Sequence, residues 1–152
     1  MTSLWVSLAT LGPIGYLPAP GSCATLLTLP LVYLLHAMQI TSATYLTIVC
    51  IGIVLSWFII KKALEAMDRS DDPSEIVLDE VLGCLLAFWA IPLSTPILIV
   101  GFIIFRILDI TKSFGVGFFE VILGAWGILL DDLAAGLLSN IFLRLVVTFF
   151  LV

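Results

Sequence analysis

The sequence predicts an all-α membrane protein, a polytopic helical bundle of about four to five spanning helices preceded by a short N-terminal apolar segment. Hydrophobic residues make up 62% of the chain, charged residues only 11%, and the mean hydropathy is +1.27. Soluble domains carry about 25% charged residues. Several apolar runs approach the roughly 20 residues that cross a bilayer. The 152 residues therefore predict one membrane-embedded domain, residues 1–152, with no appended soluble enzyme.

Two apolar runs predict the first two spans. The first covers residues 23–38 and follows a loop rich in glycine and proline, residues 12–22. The second covers residues 44–60. Lys61 and Lys62 predict its end, because charged side chains are rare within the hydrocarbon.

A third span is predicted over residues 73–91. Asp72 is a favourable N-cap, the proline after it suits the first helical position, and Glu75 completes a capping box. At 1.5 Å per residue this helix is about 28 Å long, close to the hydrocarbon thickness. This start places Asp79 and Glu80 about two turns inside the helix.

Two further helices complete the predicted bundle. Thr95 is predicted to cap a fourth helix that a proline opens and that ends near Lys112. Residues 113–127 are glycine-rich and predict an irregular or interfacial segment. The last span is predicted to begin at about residue 128 or 131 and to end at residue 152.

The basic residues predict the orientation of the bundle. Those after the second span and those near the end of the fourth helix share one side if the third and fourth spans form a hairpin. The positive-inside rule assigns this side to the cytoplasm. Arg144 is the exception, and it is expected to snorkel outward or to pair inside the bundle.

Carboxylates are concentrated near this cytoplasmic side. Ionisable groups within membrane segments are costly and usually mark a functional site. Five carboxylates against two nearby cations leave a deficit of positive charge, and Mg²⁺ fits it because hard oxygen ligands suit this ion. The alternative is a structural ion pair with Arg106 or Lys112. The five carboxylates are Asp79, Glu80, Asp109, Asp131 and Asp132.

Arg106, Asp109 and Lys112 follow one another at three-residue spacing, which places them along one helix face. A guanidinium binds phosphate oxygens bidentately, and a lysine acts as a point charge. The alternative for Lys112 is ordinary anchoring of a helix end at the membrane surface. The pattern favours a phosphate-binding face.

Two other short motifs border helix starts. Asp131 and Asp132 follow a glycine-rich stretch and would begin the last helix, where the helix dipole alone favours acidic residues. Gly21 and Ser22 would present backbone N–H groups at a helix N-terminus, which is a phosphate contact or a plain turn.

Several function classes are excluded. The net charge is −5 and no basic stripe is present, so no nucleic-acid partner is expected. The single histidine, His36, cannot supply the two histidines of the phosphatidic-acid-phosphatase type 2 pattern. Walker and dinucleotide-binding glycine motifs are missing.

Four sequence blocks, in order and at similar spacing, resemble those of the phosphatidylglycerophosphatase A family. They are GPIGYLPAPGS (residues 12–22), DPSEIVLDEVLG (72–83), GFIIFRILDITK (101–112) and GAWGILLDDLAAG (124–136). The resemblance implies a phosphoric monoester hydrolase, dependent on Mg²⁺, that converts phosphatidylglycerophosphate to phosphatidylglycerol and phosphate during phospholipid biosynthesis. It implies a bacterial inner-membrane location and a membrane phospholipid as substrate, and no oligomeric state is assigned.

The resemblance also implies roles by matching position. The implied metal ligands are Asp79, Glu80, Asp131 and Asp132. The implied catalytic set adds Arg106, Asp109 and Lys112. The groups expected at the substrate phosphate are Arg106, Lys112, Gly21 and Ser22.

Two alternative functions and one choice of mechanism remain open. The first alternative is a phosphatase acting on another lipid phosphate or on a prenyl phosphate. Another is a small ion or proton transporter subunit, although the chain lacks the internal repeat typical of transporters. Within the phosphatase hypothesis, direct attack by water and an aspartyl-phosphate intermediate both remain possible.

Overall fold

A computed structural model describes residues 3–113, 122 and 124–150, and within these ranges it contains helices and no strands. The predicted all-α class is confirmed. The α-helices of the described residues are α1 (Leu4–Ala9), α2 (Pro20–Ala37), α3 (Ser42–Met67), α4 (Leu78–Ala87), α5 (Thr95–Thr111) and α6 (Ala125–Phe150). A short 3₁₀ helix (Ile14–Tyr16) joins α1 to α2.

Three helices in the described ranges are long and apolar enough to cross a membrane: α2, α3 and α6. Together with the composition, they indicate a membrane protein. Helix α5 has 17 residues and α4 has 10, about 26 Å and 15 Å of rise. The predicted count of four to five spanning helices is therefore not confirmed by helix length and stays a prediction.

The prediction that Lys61 and Lys62 end the second helix is wrong. Helix α3 continues through both lysines to Met67, about two turns beyond the predicted end at residue 60. Lys62 Nζ lies 2.7 Å from Glu65 Oε2, an i,i+3 pair that supports the last turns. Lysines at a membrane surface thus mark the edge of the hydrocarbon without ending the helix.

The predicted start of the third helix is also wrong. Helix α4 begins at Leu78, and Asp72 caps nothing. The preceding backbone is instead held by tertiary contacts, because Val77 N donates to Ala9 O over 3.0 Å and both Ile76 and Val77 are buried. Burial of this irregular segment against α1 overrides the local helix signals. Asp79 and Glu80 therefore lie in the first turn of α4, not two turns inside it.

Two other helix starts differ from the predictions. Ser94, not Thr95, is the N-cap of α5, since its hydroxyl accepts a hydrogen bond from Ile97 N over 3.4 Å. Helix α6 begins at Ala125, so the pair Asp131 and Asp132 lies in its second turn. Part of the predicted irregular segment 113–127 lies outside the described residues.

Helices α4 and α6 cross closely at two glycines. A Cβ built on Gly136 would collide with the carbonyl of Gly83, and one built on Gly83 would lie 2.6 Å from the carbonyl oxygen of Asp132. Small residues allow helix backbones in membranes to approach this closely. The crossing fixes the position of α4 along α6.

One turn beyond the crossing, side chains of α6 donate hydrogen bonds to the free backbone carbonyls at the C-terminal end of α4. Asn140 Nδ2 donates to Ala87 O over 3.0 Å and to Trp89 O over 2.8 Å. Arg144 Nε donates to Asn140 Oδ1 over 2.8 Å, and its guanidinium carbon lies 5.6 Å from the centre of the Trp89 ring. Of the two expectations for Arg144, pairing within the bundle is confirmed. Carbonyls at the end of a short helix need such partners where water is scarce.

Candidate active site

Helix ends converge at one end of the bundle. The loop after α3 is joined to the start of α6 by Gly124 N, which donates to Ser70 O over 3.2 Å. The end of α5 reaches α6 through Lys112. The start of α2 lies against α4, because Gly21 packs beside Glu80. Side chains that are far apart in sequence therefore meet in one place.

Three carboxylates from α4 and α6 form the centre of this region. Asp79, Glu80 and Asp132 each place an oxygen within 4.8 Å of the others. Asp79 lies four residues before Gly83, and Asp132 lies four residues before Gly136. Residues four apart share a helix face. The crossing of α4 and α6 at the two glycines therefore also brings Asp79 and Asp132 together, one helical turn from the crossing. We call these three side chains the carboxylate trio.

The carboxylate trio fits a divalent metal ion. Asp79 and Asp132 are only 5% and 3% exposed. Asp79 Oδ1 and Glu80 Oε2 are buried and have no hydrogen-bond partner among the described residues. Burying a carboxylate oxygen without a donor is strongly unfavourable. Hard oxygen donors at this spacing match the preference of Mg²⁺, so the residues present fit the ion that the charge deficit predicts.

Arg106 lies beside the carboxylate trio. Its Nη1 is 2.6 Å from Asp109 Oδ2 and 4.0 Å from Glu80 Oε1. The same nitrogen donates to Thr25 Oγ1 over 3.5 Å. Arg106 Nε is buried without a partner among the described residues, so the guanidinium retains an unused donor next to the site. The contact with Thr25 in α2 was not predicted.

Lys112 and Asp131 form a second pair at the edge of the trio. Lys112 Nζ lies 2.7 Å from Asp131 Oδ2, and Asp131 Oδ1 accepts from the backbone N–H of Asp132 over 3.0 Å. Desolvation and the neighbouring carboxylate of Asp131 raise the pKa of the exposed Asp72 to about 6. The structure thus places Asp131 against Lys112, next to the three converging carboxylates.

A cavity of about 160 Å³ connects these side chains, and we call it the site cavity. Its described lining contains six carboxylates and one cationic side chain, which leaves a strong local excess of negative charge. Its lining residues are Asp72, Ser74, Ile76, Asp79, Glu80, Asp109, Ile110, Lys112, Asp131 and Asp132.

Gly21 lies where a side chain could not fit. A Cβ at this position would collide with Glu80 Oε1 and would lie 3.0 Å from both terminal nitrogens of Arg106. The predicted loop over residues 12–22 ends too late, since α2 begins at Pro20. Gly21 and Ser22 therefore lie in the first turn of α2, and their expected position at a helix N-terminus is confirmed. Their role as phosphate contacts stays a prediction.

We expect Gly21→Ala to reduce phosphatase activity at least 100-fold, because the new methyl group must displace Glu80 or Arg106 from the site. Positioning errors of about 1 Å typically have effects of this size. Steady-state phosphate release by the purified variant in detergent measures the loss. Gly52→Ala is the matched control, since its Cβ meets only the flexible end of Leu82. Equal activity in both variants would contradict the packing argument.

The structure brings together the charged residues that the sequence singled out, but other contributors were missed. Gly83, Gly136 and Asn140 were not predicted to support the site. A signal for them exists, because Asp132, Gly136, Asn140 and Arg144 recur every four residues along a predominantly apolar helix. That interval marks a single face.

Comparison with known proteins shows the family to which the chain is similar. A family model described as phosphatidylglycerophosphatase A matches residues 7–147. The chain is 31% identical to phosphatidylglycerophosphatase A of Escherichia coli over 91% of its own length and 81% of that protein. It is 32% identical to phosphatidylglycerophosphatase A of Haemophilus influenzae over 82% of its length and 76% of that protein.

A shorter match involves a protein of Bacteroides thetaiotaomicron named putative phosphatidylinositol-3-phosphatase, which is 38% identical over 47% of this chain and 46% of that protein. No solved structure matches the chain significantly. The family match covers most of the chain and includes each block that carries a residue of the site. The chain therefore belongs to the phosphatidylglycerophosphatase A family, a family of phosphoric monoester hydrolases.

Proposed function

We propose that this protein is a Mg²⁺-dependent phosphatase that hydrolyses phosphatidylglycerophosphate to phosphatidylglycerol and inorganic phosphate. The observation that carries the proposal is the carboxylate trio with Arg106 beside it: three carboxylates close enough to hold a divalent cation, next to a guanidinium suited to binding a phosphate. The family match and the names of the two long relatives support the substrate.

The carboxylate trio would hold the metal, and Asp131 would position Lys112. When bound, Mg²⁺ supplies Lewis-acid polarisation of the phosphoryl group and lowers the pKa of an attacking water. The trio's own contribution is to fix the ion in a small, partly dry cavity. Its two unpartnered buried oxygens, Asp79 Oδ1 and Glu80 Oε2, are directly available as ligands.

Arg106 would bind the terminal phosphate. Asp109 and Thr25 hold Nη1, which leaves the buried Nε to donate to a phosphate oxygen. Donors positioned in advance stabilise the charge that develops in the transition state without reorganising. Lys112, at the end of α5, would add a second positive charge to the cavity wall. Because Gly21 carries no side chain, Glu80 and Arg106 can lie directly against the backbone of α2.

We propose that the site faces the cytoplasm of a bacterial inner membrane. Lysines 61 and 62 end the apolar part of α3 on the same side as Arg69, Arg106 and Lys112, which satisfies the positive-inside rule. If α5 and the α4 segment also cross, the bundle has five spans. Accessibility of single cysteines to a membrane-impermeant thiol reagent in right-side-out and inverted vesicles would test the orientation.

Removal of Mg²⁺ should abolish the activity. We expect the purified protein to release phosphate from phosphatidylglycerophosphate in detergent with Mg²⁺, to lose at least 99% of the rate in excess chelator, and to recover on adding Mg²⁺. The reason is that six carboxylates line the site cavity and repel an anionic phosphate unless a cation offsets them. An undiminished rate in chelator would contradict the metal assignment. Ion flux in liposomes without phosphate release would support the transporter alternative.

A second candidate is hydrolysis of another lipid phosphate. The Bacteroides relative, whose name refers to a phosphoinositide, favours this possibility over part of the chain. Parallel assays with phosphatidylglycerophosphate, phosphatidylinositol 3-phosphate, phosphatidic acid and a prenyl phosphate would distinguish the substrates. The lipid with the highest kcat/KM identifies the physiological class.

A further inference from the structure

A second cavity lies at the same end of the bundle, where α3 and α6 reach the membrane surface. We call it the interfacial groove; its volume is about 490 Å³, and its walls include Trp57, Lys61, Leu64 and Trp126. The Trp57 and Trp126 rings pack with their centroids 5.5 Å apart, and Lys61 Nζ lies 5.3 Å from the centre of the Trp57 ring. Tryptophan together with lysine is typical of the membrane–water interface.

The length of α3 sets the depth of this groove. The helix begins at Ser42, so Lys61 lies about 28 Å along its axis and Trp57 about 22 Å. The hydrocarbon core is about 30 Å thick. If α3 crosses the bilayer, the Lys61 ammonium lies at the level where the phosphodiester of a phospholipid begins.

The groove continues to the site. A middle cavity of about 310 Å³ shares Ser70 and Gly124 with the interfacial groove. It shares Asp72, Lys112 and Asp131 with the site cavity. The three cavities therefore lie next to one another, in a row that begins at the interfacial groove and ends at the carboxylate trio.

Lys61 is positioned to interact with an anion in this groove. It forms no ion pair within residues 3–113, 122 and 124–150, and its ammonium lies over an aromatic ring. The other cation of the groove, Arg69, is held by Asp71, with Nη2 and Oδ2 2.6 Å apart. Two carboxylates, Glu65 and Asp68, also line the groove. Glu65 Oε2 is paired with Lys62 Nζ, 2.7 Å away, and Lys62 itself does not line the groove.

We propose that the interfacial groove receives the headgroup of a glycerophospholipid laterally from the membrane, and that Lys61 binds the phosphodiester next to the diacylglycerol. The inference rests on the proposed function, because a substrate with a phosphodiester and a terminal phosphomonoester presents two anionic groups, each of which a separate positive site can bind. Arg106 and Lys112 serve the terminal phosphate, and Lys61 serves the phosphodiester. Lys61 is therefore a specificity-determining residue outside the catalytic site.

Steady-state hydrolysis of phosphatidylglycerophosphate by Lys61→Gln tests this role. We expect KM to rise about tenfold with kcat unchanged, the effect of losing one charge-assisted hydrogen bond. Lys62→Gln is the matched control and should leave both constants unchanged. A KM that does not respond to Lys61→Gln, or that rises equally in Lys62→Gln, overturns the inference, since general surface charge would then explain the result.

A binding measurement separates this inference from the proposed activity. Phosphatidylglycerol carries the phosphodiester without a terminal phosphomonoester, and native mass spectrometry counts the molecules retained by the detergent-solubilised protein. We expect wild type and Lys62→Gln to retain one phosphatidylglycerol that Lys61→Gln loses. If this binding depends on Lys61 but the wild type releases no phosphate, the groove assignment stands and the proposed activity fails. Normal activity with binding independent of Lys61 overturns the groove assignment alone.

Discussion

Replacing either buried aspartate of the carboxylate trio, by Asp79→Asn or Asp132→Asn, should reduce kcat at least 1,000-fold. Each substitution keeps the side-chain shape but removes a formal charge from the cavity that we propose holds the cation. Mutation of groups that stabilise transition-state charge typically costs 100- to 1,000-fold, and loss of a metal ligand adds the loss of the ion itself. Phosphate release at saturating Mg²⁺ measures the effect.

The same variants should remain folded, and this separates a metal-site role from a structural one. Because Asp79 and Asp132 are buried close to like charges, neutralising one relieves repulsion and should raise the thermal midpoint in chelator. Mg²⁺ should raise the midpoint of the wild type but not of either variant. Glu75→Gln is the control, since Glu75 lines neither the site cavity nor the interfacial groove and faces Arg69, whose Nη1 lies 3.8 Å from Glu75 Oε2. Full activity in both trio variants would remove the metal assignment.

Arg106→Lys should reduce kcat by about 100- to 1,000-fold, the second largest effect we expect. Lysine keeps the charge but has no counterpart to the planar fork of donors, so it cannot contact Asp109, Thr25 and a phosphate oxygen together. Steady-state kinetics with phosphatidylglycerophosphate provide the test.

Arg69→Lys is the matched control for Arg106→Lys. Arg69 lies outside the site cavity, in exposed ion pairs with Asp71 and Glu75, and such pairs contribute little to stability. It does line the interfacial groove, where a substitution would change KM rather than kcat, and lysine keeps its charge. We expect near-normal kcat in this variant. If Arg106→Lys also retains normal kcat, the guanidinium does not bind the transferred phosphoryl group.

The charged residues of the site were predictable from sequence because a membrane domain tolerates so few of them. Asp79, Glu80, Arg106 and Asp132 interrupt apolar sequence, and their cost implies a shared purpose. Composition alone was sufficient for the all-α class. Composition could not show which carboxylates converge, namely the three of the trio, and that Asp131 instead faces Lys112. These positions depend on how α4 is rotated and shifted along α6.

The errors at helix starts have a common cause. Asp72 and Glu75 carry a strong local capping signal, yet α4 begins only at Leu78. A backbone hydrogen bond from Val77 to α1, 68 residues earlier in sequence, holds the segment in another conformation. Capping rules describe the first turn of an isolated helix, whereas here burial of Ile76 and Val77 decides where the turn can begin.

The face of α6 that carries Asp132, Gly136 and Asn140 contacts α4, so the carboxylate trio and Arg106 are carried by two different pairs of helices. Helices α4 and α6 hold the carboxylate trio, and their crossing and the Asn140 contacts lock them into one block. Helices α2 and α5 supply Gly21 and Arg106, which lie beside Glu80 of the trio. Under the proposed function, a change in headgroup preference can therefore arise in α2, α3 or α5 while the carboxylate trio stays intact, which would make the bundle a suitable starting point for engineering phosphatases with new lipid substrates.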